Sequence, residues 1–219
     1  MISSRTSGNK PGQHRLKMIL IIGLLASLVI CLLQLHNFLA ITRPVRAEVL
    51  VVEGWLFDYM LDQAAEEFKT GNYQLLITTG CRDQFQNLPE RGGFAGHAEY
   101  AAAYLAGRGI DPGRIMTVPA PDVKNHRTYQ AGLALKKWLA GHPGIHAINI
   151  YTGGPHARKT YTIFRRVIGR AMDTGVIACT MTHYNPRYWW GSARGVSVTL
   201  RFFIGYLYAL CWPFNTDTD

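Results

Sequence analysis

The stretch Ile148-Asn149-Ile150-Tyr151-Thr152-Gly153-Gly154-Pro155-His156-Ala157-Arg158-Lys159-Thr160 changes character once, at its two glycines. The β-branched, apolar residues before them read as a strand. After them, Pro155 stands where a helix puts its first residue. Ala157, Tyr161, Phe164 and Ile168 then recur at helical spacing, with Arg158, Thr162, Arg165 and Arg166 on the opposite face. Gly169 supplies a stop. A strand running through a glycine turn into a helix presents backbone N–H groups that suit a phosphate or carboxylate. Gly153 and Gly154 permit close approach, and His156, Arg158 and Lys159 add titratable or cationic groups. The run nearly spells a P-loop, G-x-x-x-x-G-K-S/T, with Lys159 and Thr160 in register. Arg158 occupies the second glycine position, however, and Pro155 removes one of the amides that would cradle phosphate. A nucleoside-triphosphatase is therefore not expected.

The same alternation runs through the chain. Glu48-Val49-Leu50-Val51-Val52 is too uniformly apolar to have a wet face and belongs in a buried parallel sheet, ending at Glu53-Gly54-Trp55. Leu61, Ala64, Ala65 and Phe68 mark a helix closed by Gly71. Gln74 to Thr79 is a second strand, ending in Thr79-Gly80, and a polar loop from Arg82 to Gly93 is long enough for a lid or rim. Ala98 to Leu105 is a helix, Arg114 to Val118 a short strand, Pro119-Ala120-Pro121 irregular, and Thr128 to Leu139 a helix. Gly175 to Thr180 is the fifth strand. The fold expected is α/β, a Rossmann-like three-layer sandwich around a parallel sheet, preceded by one N-terminal transmembrane helix. The domain plan is a basic tail (1–17), an anchor (18–41), a linker (42–47), the α/β domain (48–212) and a short tail (213–219).

The net charge of +9 suggests nucleic acid until it is located. Six of the 23 Lys and Arg precede Glu48 with no acid among them, leaving 17 against 14 Asp and Glu in the rest. The excess concerns membrane orientation, and no nucleic-acid partner is expected. Met18 to Leu33 is an unbroken uncharged apolar run, extended less purely to Ile41. With that extension it reaches the roughly 20 residues a span requires. It exceeds the about 7–15 residues of a signal-peptide core, so it reads as a retained anchor. The basic leader places the N-terminus in the cytoplasm and the main domain outside the plasma membrane. Val196 to Trp212 is apolar and aromatic but carries Arg201. It reads as an amphipathic helix packed on the domain or lying at a membrane surface, rather than as a second span.

With these elements laid out, the chain resembles the SanA/YdcF/ElyC family of bacterial envelope proteins over about Glu48 to Leu207. The likeness rests on Val51-Val52-Glu53-Gly54, Thr78-Thr79-Gly80, Glu99, Gly109-Ile110-Asp111-Pro112, Arg127-Thr128-Tyr129 and Thr152 through Lys159. Three features depart from the family pattern: Asn125-His126-Arg127-Thr128-Tyr129-Gln130-Ala131 lacks its asparagines and acid, Lys159 replaces an arginine, and Gly154-Pro155 replaces a bulkier polar pair. The resemblance implies a Rossmann-like domain in envelope biogenesis, touching peptidoglycan or its lipid carrier.

In the Rossmann strand order 3-2-1-4-5, the ends of strands one and four meet at the switch point where such sheets bind ligands. Glu53 there is either an ion-pair partner of Arg127 or Arg158, or a catalytic group. His156 is either an acid/base or a capping residue. Gly54, Trp55, Thr79, Gly80, Arg127, Thr128, Thr152, Gly153, Gly154, Arg158 and Lys159 are the expected ligand-binding residues. No histidine or cysteine spacing of a metal site occurs, no G-x-S-x-G elbow occurs, and no cofactor is implied. Trp189-Trp190 is either a pocket wall or core. Cys81 and Cys179 end strands three steps apart, about 14 Å at 4.8 Å per step, too far for a disulfide. The expected function is binding of an anionic envelope metabolite or lipid-linked precursor; whether chemistry follows is left open, with hydrolysis or transfer at a phosphate or glycosidic centre as the reaction if it does. A non-catalytic scaffold of the envelope machinery is the alternative, and the oligomeric state is left open.

Overall fold

The structure is a computed structural model and describes residues 11–81 and 93–213. It separates into two units, 1–35 and 36–219. In the first, α1 (Pro11–Leu33) contains one segment, His14–Leu33, long and apolar enough to cross a membrane. It is the one such helix among the described residues.

The second unit is α/β. After α2 (Leu35–Leu39) its elements run β1 (Val49–Glu53), α3 (Asp58–Thr70), β2 (Leu75–Cys81), α4 (His97–Gly107) and β3 (Ile115–Ala120). They continue with α5 (Arg127–Ala140), β4 (Ala147–Gly153), α6 (Ala157–Ile168), β5 (Asp173–Cys179) and α7 (Ala193–Cys211). The five strands form one parallel sheet in the order β3-β2-β1-β4-β5, the order expected of a Rossmann-like fold. Every residue of β1 and of β4 is buried, which explains the absence of a polar face in both. On one face Val49, Val51, Ile77, Ile148 and Ile150 pack with Leu135 and Leu139 of α5 and with Ile163, Phe164 and Val167 of α6. Burial of each such side chain contributes about 1.5–3 kcal/mol. The strand period of two continues this face to Glu53, Thr79 and Thr152 at the carboxyl ends, so polar groups replace the core where the strands stop.

Several local expectations are corrected. Residues 42–47 are not a free linker. Arg43 pairs antiparallel with Val176, and Val45 exchanges two hydrogen bonds with the buried Asn149 amide (2.9 and 2.8 Å), so this segment covers the edge of β5. Pro119 and Ala120 are regular strand, because β3 is an edge where a missing N–H is tolerated. Pro155 lies in a 3-10 turn (Gly154–His156), and α6 begins only at Ala157. The buried face of α6 is centred on Thr160, Ile163, Phe164 and Val167. Tyr161 and Ile168 are half-buried, because the helix is flanked by both α5 and α7. As expected from the strand order, Cys81 and Cys179 form no disulfide; both are buried, and burial pushes Cys179 up to about 11. The expected rim loop lies mostly at 82–92, outside the described residues.

Candidate functional site

A cavity of about 1190 Å³ opens at the carboxyl end of the sheet, between β1, β2, the start of α5, α6 and α7. Glu53 is its only carboxylate among the described lining residues. Three polar side chains surround Glu53. The Thr152 hydroxyl donates to Glu53 Oε2, Thr160 Oγ1 lies 3.2 Å from the same oxygen, and His156 Nδ1 lies 3.3 Å from it. Thr160 Oγ1 also lies 2.8 Å from His156 Nδ1. Thr160 is four residues beyond His156, so one helical turn brings the two together.

A carboxylate only accepts hydrogen bonds, so an unprotonated Nδ1 facing it would set acceptor against acceptor. A proton on Nδ1 satisfies this cluster: it donates to Thr160 or Glu53, while the threonine hydroxyls donate to Glu53. Nε2 then makes no hydrogen bond to any described residue. Trp55 and Phe202 hold the imidazole edge-on from two sides, with ring centroids 5.1 and 4.9 Å away. Burial works to raise the Glu53 pKa. The charge and hydrogen bond of His156, with the polar groups of Thr152 and Trp55, outweigh it and hold the carboxyl below its ordinary value. The expected ion-pair partner of Glu53 is corrected: it is His156, not Arg127 or Arg158.

Against this single carboxylate, the cavity wall carries Lys124, Arg127, Lys159, Arg194 and Arg201. Lys159 runs beneath α7, where a Cβ on Gly205 would stand 3.9 Å from its Nζ. Burial pushes the Lys159 ammonium below its usual pKa. Arg127 and Arg201 push the same way, and Glu53 opposes them. Among the described residues Lys159, Arg127 and Arg201 have no ion pair. Three cations thus share the cavity without an ion pair to any described carboxylate. Thr79, fully buried at the cavity floor, has a hydroxyl without a hydrogen-bond partner. Among the described residues no cluster of histidine, cysteine or carboxylate side chains could hold a metal ion.

Neither a family model, nor a curated protein, nor a solved structure matches the chain.

Of the residues expected at the site, Glu53, Trp55, Thr79, Gly80, Arg127, Thr128, Gly153, His156 and Lys159 line the cavity. Thr152 lies beneath them, bonded to Glu53. Gly54 serves a different purpose, since a Cβ there would run into the His97 backbone at the start of α4. Gly154 has φ +27° and is roofed by Met181, whose Cγ and Sδ lie 2.6 and 2.7 Å from where a Cβ would be. It is a packing glycine, not an open approach for a ligand. Arg158 is not an anion clamp: its guanidinium stacks over Phe38, 3.9 Å from the ring centroid, and donates to the Phe38 carbonyl. The cationic wall of the cavity is therefore built from side chains and not from the N-terminus of α6. Sequence reasoning missed Thr160, His126, Arg201, Phe202 and Tyr208. His126 sits at φ 57° before α5 and stacks on Trp212 and Tyr208, with centroids 4.4 and 5.9 Å apart. The available signal was Arg201, a charge inside an otherwise apolar helix that calls for a polar neighbour.

Proposed function

We propose that this is a membrane-anchored envelope-biogenesis protein whose Rossmann-like domain binds an anionic ligand, phosphorylated or a lipid-linked glycan, and that it belongs with the SanA/YdcF/ElyC-like proteins. The observation that carries the binding reading is the presence of Lys159, Arg127 and Arg201 on a cavity whose one described carboxylate is already held by His156. An uncompensated cation cluster in a partly desolvated site attracts an anion strongly, since screening by solvent is reduced there. The residues behind the family resemblance, Glu53, Thr79, Gly80, Thr152, His156 and Lys159, gather at this one end of the sheet. The proposed placement is a single span with the N-terminus in the cytoplasm and the α/β domain outside the plasma membrane, supported by the acid-free basic leader.

Chemistry at this site would be hydrolysis or transfer at a phosphate or glycosidic centre. His156 Nε2 would exchange the proton, Glu53 would hold the imidazole through Nδ1, and the three cations would neutralise charge developing on oxygen. The scaffold alternative predicts a closed strand edge beside an exposed aromatic patch, and the 42–47 segment on β5 with the exposed Tyr208 and Trp212 is compatible with it. An open cavity with five cationic side chains on its wall supports the ligand-binding reading. Native mass spectrometry of the detergent-extracted full chain tests it. A co-purifying phosphorylated mass that Lys159→Ala loses is expected, and retention of the same mass by Lys159→Ala would contradict this site.

A further inference from the structure

The inner and outer faces of α7 have opposite characters to those of an ordinary surface helix. Toward the protein it presents Arg201 and Phe202 to the cavity and Gly205 to Lys159. Toward solvent, Leu200, Ile204, Leu207 and Cys211 follow one another at spacings of four, three and four, with Tyr208 beside them. These positions share one stripe of the helix. Ile204 is 66% exposed, and Leu200, Leu207 and Tyr208 are between 41 and 49% exposed. A solvent-facing stripe should be polar, so this one is built to be covered.

We infer that α7 lies in the surface of an anionic lipid bilayer, with this stripe immersed in the headgroup–acyl boundary. Charge selects the occupant. No aspartate or glutamate occurs from Thr174 to Phe214, whereas Arg187 is exposed there and Arg194 and Arg201, at the flank between the stripe and the cavity, are exposed as well. A second copy packed on the same stripe would bring these arginines toward their own kind with no carboxylate to pair. Anionic headgroups complement them. Length and topology agree with a helix lying flat. Its 19 residues could reach across a membrane core, but Thr199 and Ala209 are buried against the domain and two arginines interrupt it. Trp212, half a turn beyond the stripe and 38% exposed, adds the ring type that favours the headgroup level. Chain connectivity supports the same partner, because the domain begins at His36, directly after a helix able to cross a bilayer. The cavity wall formed by Arg201 and Phe202 then lies at the lipid surface, independently of which anion the cavity takes.

The test uses the full chain reconstituted in vesicles of phosphatidylglycerol and phosphatidylcholine, with the exposed Cys31 and Cys211 replaced by serine. Ile204→Cys carries a bimane fluorophore, and Glu66→Cys on the exposed face of α3 is the control. Lipids with a doxyl group high on the acyl chain should quench the label at 204 several-fold more than at 66, and aqueous iodide should do the reverse. Iodide quenching at 204 equal to that at 66 would show that the stripe faces water and would overturn the inference. Shielding of 204 from both quenchers would show a protein surface covering it, a second copy included, and would overturn it equally. Leu207→Cys repeats the measurement at a second stripe position, so the result does not rest on one substitution.

Discussion

Glu53 sits at the end of a strand whose other four residues are apolar, and its environment explains why a charge is tolerated there. His156 and two threonine hydroxyls satisfy the same carboxylate oxygen within one buried cluster. Removing either partner has different consequences. His156→Ala leaves a buried carboxylate unpaired and should cost about 3–5 kcal/mol, well beyond the loss of a helix cap. The Glu53→Gln/His156→Ala double variant should be less destabilised than the sum of the singles, which chemical denaturation of each would show. The pH dependence has a defined sign. The Glu53 carboxyl is held below its ordinary value of 4.5, so its stabilisation is complete above that pH and is lost as pH falls through the lowered folded value. Thermal melts below pH 4.5 should therefore fall less steeply for Glu53→Gln than for wild type. Equal slopes would mean that Glu53 is not the ionised partner of His156.

At the scale of elements, the parallel sheet was legible because β1 and β4 have no polar face, and buried strands must have helices on both sides. The end of the sheet that carries the site was legible too, from Glu53 and Thr152 ending strands that neighbour each other. The details of the turn after β4 were not. Sequence marks Gly153-Gly154-Pro155 as a turn, but whether a glycine faces ligand or core depends on what packs above it. Met181, 27 residues later, decides that. Gly154→Val should accordingly lower stability through overpacking, by about 1–3 kcal/mol, and further through strain at its positive φ. It should not act by blocking the cavity: a melting temperature equal to wild type, with ligand binding abolished, would reverse this assignment. Arg158 was misplaced for a similar reason. Helical spacing puts it near Lys159 in sequence, yet the two point to different faces, and only tertiary packing reveals that Phe38 claims the arginine. Arg201 came to the site from a helix some 40 residues beyond Lys159, a juxtaposition that periodicity within either helix cannot show.

For the whole molecule, the charge distribution sets two expectations. The acid-free leader before the apolar helix predicts a cytoplasmic N-terminus, so a reporter fused after Asp219 should be active outside the cytoplasm and inactive within it. Activity only in the cytoplasm would refute that topology. The other expectation concerns the cavity, where cations from α5, α6 and α7 have no ion pair to a described carboxylate. Bound anion should stabilise the domain by mass action, about 2.7 kcal/mol at a hundredfold excess over Kd. The most direct measurement is calorimetric titration of the detergent-solubilised full chain with pyrophosphate, for wild type, Lys159→Ala, Arg127→Ala and Arg158→Ala. Binding by wild type and Arg158→Ala, with at least tenfold weakening in Lys159→Ala and Arg127→Ala, is the predicted result. Binding that Arg158→Ala loses and Lys159→Ala keeps, or no binding by wild type, would contradict the assignment of this cavity as an anion site.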